Sequence, residues 1–469
     1  MPQRNQPPTE NGHGPNGHHH HAEAVLTPAD VTADALRQFT FGGPRYNIAL
    51  VFFGALLAFG VLGVIARLVE GYQHRANWAY PVAAFAFLLS TTQAAPIVAY
   101  GLRFAKAHWR RPLTRAAELH AVSGLLLFLF FLPLLPTLPP LRGRSNIWFN
   151  WPVGAPHLWE LVFLAVLVSA GLAVLYFSAR PDWAAALRLR TDDGRAAMGA
   201  RFAQDWVGSQ QQWRATWQGM LYLGALYVIT FAGVHLIFST DFSMSQIPGW
   251  FSSIFPAWHT LGALQAGLAT TILTLGILRT LGGMRSYLQL DQFWGLAKIL
   301  LALSLLWFYM FWADFLTQWY GRTPREAAVL TLLVWGPYAV PFLLAFLGSF
   351  LLPFLLLIWS PIRVSIVGPT LVALIVLIGN FFDRVRLYVS AYSLESVTGH
   401  QIEKIPATHL PDFIDVMIVL GSIGGAIFCY LLALKFVPVL NTWEVKEGLY
   451  LRVVRPFLRT RVPIIGKPV

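Results

Sequence analysis

Leu221-Tyr-Leu-Gly-Ala-Leu-Tyr-Val-Ile-Thr230-Phe-Ala-Gly-Val-His235-Leu-Ile-Phe-Ser-Thr-Asp241-Phe242 carries no formal charge until its penultimate residue. It lies in a longer interval, from Arg214 to Arg279, where Asp241 is the one formal charge in 64 residues. About 20 apolar residues form a helix that crosses the hydrocarbon core of a bilayer. Two runs of that length flank a polar, aromatic middle that continues as Pro248-Gly-Trp-Phe251 and Phe255-Pro-Ala-Trp258. An ionisable group at membrane depth is costly and marks function by default. His235 and Asp241 are six residues apart in such a place.

The rest of the chain is consistent with this. It is 56% hydrophobic and 12% charged, against roughly 25% charged in soluble domains. That composition describes a multi-pass membrane protein. The net charge of +12 then reads as topology, not as nucleic-acid binding. The single cysteine, Cys429, excludes an intrachain disulfide and a cysteine-ligated Fe–S cluster within the chain. It sits among Gly421, Gly424, Gly425 and Ala426 and reads as a buried thiol. Residues 1–45 read as a disordered cytoplasmic tail without a cleavable signal peptide, and its His18–His21 run as low complexity.

The hydrophobic runs predict an all-α integral membrane fold of ten transmembrane helices, at 46–66, 79–102, 119–139, 158–178, 217–238, 258–278, 293–319, 331–358, 364–388 and 412–435. The membrane domain is thus 46–435, and 436–469 is a basic cytoplasmic C-terminal tail. Pro133, Pro136, Pro139 and Pro140 predict a broken outer end of the third span. Pro341, Pro353 and Pro369 predict kinks in spans eight and nine. Of the 34 Lys and Arg, 25 fall on the side shared by both termini. The positive-inside rule therefore predicts cytoplasmic N- and C-termini in a bacterial cytoplasmic (inner) membrane. Trp78, Trp148, Trp151, Trp159, Trp250 and Trp258 fall at the outer face, where an aromatic belt is expected.

Sorted by depth, ionisable groups of several segments converge on that outer face: His235, Asp241, Glu160, Asp314, Asp383, Arg384 and the loop residues Arg142 and Arg144. A second set, His120, Gln93, Asp291 and Lys298, lies toward the cytoplasm. Ordinary helix-end charges and salt bridges are the plain alternative, as Asp383 beside Arg384 suggests. The outer set suits a quinol. Its oxidation needs an acceptor for each hydroxyl proton, and a histidine or a buried carboxylate serves. It also needs an apolar slot, which Trp250, Phe251 and Trp258 offer. Other amphipathic substrates fit the same set. His235 and His259 are also the one candidate pair for haem ligation.

Several segments, in order, resemble the NrfD/PsrC superfamily of membrane quinone-interacting subunits, most closely the ActC group of alternative complex III. They are Trp109-Arg-Arg-Pro112 with Arg115-Ala-Ala-Glu118, Trp151-Pro152, Pro156-His-Leu-Trp-Glu160 and Pro181-Asp182. Next come His235 to Phe242, Pro248-Gly-Trp250, Ile254-Phe-Pro256, Leu296-Ala-Lys298, Asp314 and Trp319-Tyr-Gly321. Asn380-Phe-Phe-Asp-Arg384, Phe436-Val-Pro438 and Trp443-Glu-Val-Lys-Glu447 close the series. The chain departs from the family at Glu160 and Asp383, which replace an Asp and a Glu. It also lacks the family's span-3 histidine, at Leu135-Pro-Thr-Leu-Pro-Pro140.

The resemblance implies two four-helix bundles, spans 2–5 and 6–9, flanked by spans 1 and 10. It implies a menaquinone or ubiquinone site near the periplasmic face, with no haem or Fe–S cluster in this chain. Electrons would pass to a partner Fe–S subunit, alongside a related NrfD-like subunit and cytochrome c subunits, with proton translocation as a coupled step. His235, Asp241 and Glu160 are the expected catalytic residues: His235 and Asp241 as proton acceptors, Glu160, with Arg144, orienting the head group or partner contacts. Arg144, Trp250, Phe251, Trp258, Asp314, Asp383 and Arg384 are the expected quinone-binding or site-shaping residues. A non-catalytic anchor of the same superfamily and an ion-coupled secondary transporter are the competing expectations.

Overall fold

The computed structural model describes residues 27–38, 43–138, 155–189, 202–203, 205–397, 399–457 and 460–465. A short helix α1 (Pro28–Gln38) precedes α2 (Pro44–Glu70), α3 (Arg75–Phe104), α4 (Thr114–Thr137), α5 (Ala155–Leu189) and α6 (Gln210–Phe242). Then follow α7 (Phe255–Thr280), α8 (Leu290–Gly321), α9 (Ala339–Ile358), α10 (Val367–Arg384), α11 (Phe413–Ala433) and α12 (Thr442–Tyr450). Among the described residues, nine helices are long and apolar enough to cross a membrane: α2 to α9 and α11. The chain is an all-α, multi-pass membrane protein. The expected ninth crossing corresponds to α10, which is not one of those nine. Beyond α12, Arg452–Phe457 and Thr460–Ile465 pair as antiparallel strands within the C-terminal segment.

Lipid offers no hydrophobic drive for helices to associate, so close packing and polar contacts hold them. The outlying α2 shows both. Its buried residues are Gly60, Gly63 and Arg67. A Cβ on Gly60 would come within 2.6 Å of the Gly421 Cα, so α2 and α11 touch backbone to backbone. At one end Arg67 donates to Asp412 (2.7 Å), Asp415 (2.8 Å) and Glu70 (2.6 Å). At the centre, α3 and α7 meet where a Cβ on Gly267 would collide with Ala94.

Pro133, Pro136 and Pro353 lie at helix irregularities where expected, whereas Pro341 and Pro369 fall in the first turn of α9 and α10, where no intrahelical N–H bond is lost, and Pro139 and Pro140 lie outside the described residues. The third span ends as an α-helix at Phe131 and tightens to a 3-10 turn over Leu132–Thr137. Pro353 has no N–H to give the Ser349 carbonyl, one turn earlier. Gln265 of α7 donates to that carbonyl instead, at 2.6 Å, and to Ser304 at 2.8 Å. A π-turn, Leu347–Leu351, precedes the proline. The expected span 331–358 is shorter than its apolar run. Residues Thr331–Trp335 form a π-turn that Gly336 and Pro337 end, and α9 starts at Ala339. Leu332, Leu333 and Val334 are apolar because protein buries them.

Loop contacts define two ends. At the first, Tyr72 reaches the Pro133 carbonyl (3.0 Å), Tyr80 the His409 carbonyl (3.0 Å) and Arg75 reaches Gln246 (2.7 Å). At the second, Tyr287 bonds Asp34 of α1 (2.7 Å) and Trp183 the Phe436 carbonyl (2.7 Å). The elements α1 and α12 therefore lie at the same end, which is also where the arginines gather. The expected aromatic belt is not a lipid-facing ring. Trp78, Trp250 and Trp258 are buried in protein, whereas Trp159 is exposed; Trp148 and Trp151 lie outside the described residues.

Candidate functional site

Two of the expected site residues meet directly. Glu160 of α5 and Asp241, near the end of α6, bring their carboxyl groups close enough to interact directly. Both are buried. Like charges this close in an apolar setting do not both ionise. The Asp241 carbonyl is held by Gln246 (2.6 Å), which in turn accepts from Arg75 (2.7 Å).

His235 lies under Phe231, their ring centres 4.4 Å apart. Its Nδ1 is 3.3 Å from the Nδ1 of His259. The other His259 nitrogen, Nε2, is 2.8 Å from the Tyr388 hydroxyl. Arg384 donates to the His259 carbonyl at 3.2 Å. His235, His259, Arg384 and Tyr388 are all buried. The helix phase of α10 explains how Arg384 and Tyr388 share a face. They are four residues apart, and the chain continues helically through the π-turn Val385–Val389.

Beside this cluster is a small pocket lined by Trp250, Trp258, Phe311, Asp314, Gln318 and Arg386, among others. Its open space is about 20 Å³, room for about one water molecule. Asp314 accepts from Ser252 and, at 2.9 Å, from Gln318. Ser252 also caps the start of α7, accepting from the Phe255 N–H at 2.9 Å. Arg386 bonds Asp383 at 2.6 Å and lies over the ring of Trp258 at 5.4 Å. Asp383 is thus paired with Arg386 more closely than with its neighbour Arg384, 3.6 Å away. Phe255 links pocket to cluster: its ring is 4.4 Å from Trp250 and 6.0 Å from His259.

His235, Asp241, Glu160, Trp250, Trp258, Asp314, Asp383 and Arg384 thus occupy one end of the molecule. Phe251 does not join them: it is 72% exposed, under the guanidinium of Arg325. Arg142 and Arg144 lie outside the described residues. Of the second set, His120 bonds Thr274 (3.1 Å) and Gln93 pairs with Tyr227 (3.2 Å), while Asp291 and Lys298 are exposed. Sequence reasoning passed over Tyr388 and Arg386. The signal for both was spacing, one helical turn from Arg384 and from Asp383.

The opposite end carries a second buried network that sequence reasoning did not assemble. Arg103 donates to Glu118 (2.7 Å) and Glu444 (3.0 Å), and Arg110 and Thr114 donate to Glu444 at 2.5 and 2.9 Å. Arg115 donates to Asp182 at 2.9 Å, and Asp182 accepts from Thr442. Burial pushes the Glu444 carboxyl up, but Arg103 and Arg110 outweigh it and hold it below the usual carboxylate range. This network fastens α12 to the membrane helices. It shows no orphaned acid and serves structure.

No protein-family model and no curated protein matches the chain. Among the described residues no group of three or more His, Cys, Asp or Glu is placed to hold a metal ion.

Proposed function

We propose that this chain is an NrfD/PsrC-type, ActC-like membrane subunit that oxidises quinol at the Glu160–Asp241 and His235–His259 end and hands electrons to a partner Fe–S subunit. The observation that supports this reading is a close pair of buried carboxyl groups and a contacting pair of buried histidines at the same end as an aromatic-lined pocket. The donor set fits a quinone. The indole N–H groups of Trp250 and Trp258, both in the pocket lining, are buried without a hydrogen-bond partner among the described residues. Two carbonyl or hydroxyl oxygens would satisfy them.

A bound quinol supplies two electrons and two protons. Asp241, Glu160 and His235 would accept the protons, and Asp314 and Arg386 would orient the ring edge. Asp383 holds Arg386 in place, and Arg384 holds the His259 backbone.

The helix pairing supports the rest of the architecture. α3 to α6 contact one another in a ring, α7 to α10 in a second, and α2 with α11 stands beside them. These contacts are the support for the proposed two four-helix bundles with two flanking helices. With α1 and α12 at one end, an even number of crossings is expected, and α10 is the helix proposed as the tenth. The arginine-rich end is then cytoplasmic and the site end periplasmic.

Purification of the full chain from its native membrane tests this reading. The expected result is co-purification with an Fe–S protein and with cytochrome c absorbance, and quinol-dependent reduction of an electron acceptor. A chain that purifies alone, without quinone, contradicts it. The second reading, a non-catalytic anchor, rests on the pocket's size and on the missing span-3 histidine: a ring enters only if lining side chains move. A purified complex that retains its partners but shows no loss of turnover in Asp241→Asn favours the anchor.

A further inference from the structure

Lys298 is a cation on a face of α8 that otherwise meets lipid. It lies eight residues after Leu290, with its side chain exposed. Toward the middle of the helix its face continues as Ile299, Leu305 and Leu306, all exposed and apolar. The helix has 32 residues. At 1.5 Å per residue it is about 48 Å long, about 18 Å more than the hydrocarbon core. With that excess shared between the two ends, the Lys298 backbone, about 12 Å from the start, lies about 3 Å inside the core. Tilt shortens the overhang and takes it deeper.

An ammonium group at that depth is costly unless it reaches back to the head groups and meets an anion there. Lys298 does reach back. Its Nζ is 4.0 Å from the ring centre of Trp294, one turn nearer the helix start, at the level where indoles sit in the interface. The chain itself supplies no anion. Among the described residues no carboxylate pairs with Lys298. Asp34, Glu444 and Glu447, at the same end, bond Tyr287, Arg103 and Arg111 instead.

A second cation comes from the neighbouring helix. The turn Ser360–Arg363, just past α9, packs against α8. Arg363 gives Nη1 to the carbonyls of Leu357 (3.0 Å) and Ile358 (3.2 Å), and it too pairs with no carboxylate among the described residues. Trp359 beside it is exposed, as are Leu355 and Ile358 of α9. Phe308 of α8 stacks on Phe350 of α9 at 4.1 Å, which joins the two helices. Each helix thus brings one cation, one interfacial tryptophan and an apolar outer face. Charge above and hydrocarbon below complement an anionic amphiphile.

We propose that this α8–α9 surface, at the α1–α12 end, binds an anionic phospholipid. Lys298 and Arg363 hold its phosphate, Trp294 and Trp359 lie at the level of its ester groups, and its acyl chains run along α8 and α9. A basic site between membrane helices at head-group depth is the usual form of such recognition. The site is at the opposite end from the carboxyl and histidine pairs. It does not rest on the quinol reading, nor on which side of the membrane that end faces.

The test is native mass spectrometry of the full chain released from nanodiscs of equal parts phosphatidylglycerol and phosphatidylethanolamine with the same acyl chains. The unsubstituted chain is expected to retain phosphatidylglycerol in excess. Lys298→Gln, which removes no hydrogen bond of the fold, and Arg363→Gln should each lower the retained ratio about fivefold, and Lys298→Arg should preserve it. Arg214→Gln, which removes an exposed cation of α6, should leave the ratio unchanged. Excess inorganic phosphate added before release should displace nothing. Equal retention of the two lipids, an unchanged ratio in Lys298→Gln, an equal fall in Arg214→Gln, or displacement by inorganic phosphate would each overturn the proposal.

Discussion

Asp241 and Glu160 come from helices separated in sequence by a whole loop and most of two crossings, and their carboxyl groups meet only because the fold brings them together. Each alone would pass for a helix-end charge. Replacing either by its amide keeps the shape and removes an acceptor. General acid–base groups contribute about 10²–10⁴-fold to rate, so Asp241→Asn or Glu160→Gln should lower quinol turnover by that order in the purified complex, with chain abundance unchanged. Unaltered turnover contradicts their role. Glu444 makes the opposite kind of statement. Its carboxyl is held low by Arg103 and Arg110 despite burial. A carboxylate depressed in the folded state contributes stability above its unfolded value, about pH 4.3 for Glu. That contribution is lost as pH falls through the lower folded value. Heat denaturation in detergent should therefore show a falling midpoint below about pH 4. Glu444→Gln should cost about 3–5 kcal/mol at neutral pH, because the buried guanidinium groups lose their partner, and should flatten that acid dependence. An unchanged midpoint in the variant contradicts the network's role.

Helices show where polar groups must be repaired. Gln265 is an uncharged residue in an apolar helix, and nothing in its local sequence says what it does. Its partner is the Ser349 carbonyl that Pro353 leaves without a donor. Gln265→Leu should cost about 1–3 kcal/mol, the penalty of one unsatisfied buried polar group, read as earlier unfolding in a denaturant titration. A variant as stable as the parent contradicts this account of the kink. The helices themselves were legible from apolar run length, as were the breaks at Pro133, Pro136 and Pro353. The start of α9 was not. Residues 331–335 are as apolar as a crossing helix, but their apolarity comes from burial at the pocket, and Gly336-Pro337 cuts them off. Composition reports burial without saying whether lipid or protein does the burying. The same ambiguity misplaced Trp250 and Trp258 on a belt when they line a pocket. Tyr388 was illegible for a further reason: a tyrosine in an apolar helix is common, and only contact with His259 gives it a role.

At the scale of the molecule, the bundle separates a structural end, where arginines and acids balance, from a site end, where acids and histidines meet aromatics. That asymmetry predicts opposite access. With Cys429 replaced by Ser, cysteines placed at the exposed positions Ser286 and Gln401 should react with a membrane-impermeant maleimide from opposite sides of the membrane, Ser286→Cys from the cytoplasm. Labelling of both from one side contradicts ten crossings. The most direct test of the central claim is to place a photoactivatable quinone in the native membranes and map the adducts by mass spectrometry. The account predicts adducts on the segments that line the pocket, 250–258 and 311–318, reduced in competition with unmodified quinol. Adducts confined to the lipid-facing sides of α2 and α11, or none that unmodified quinol displaces, would contradict it.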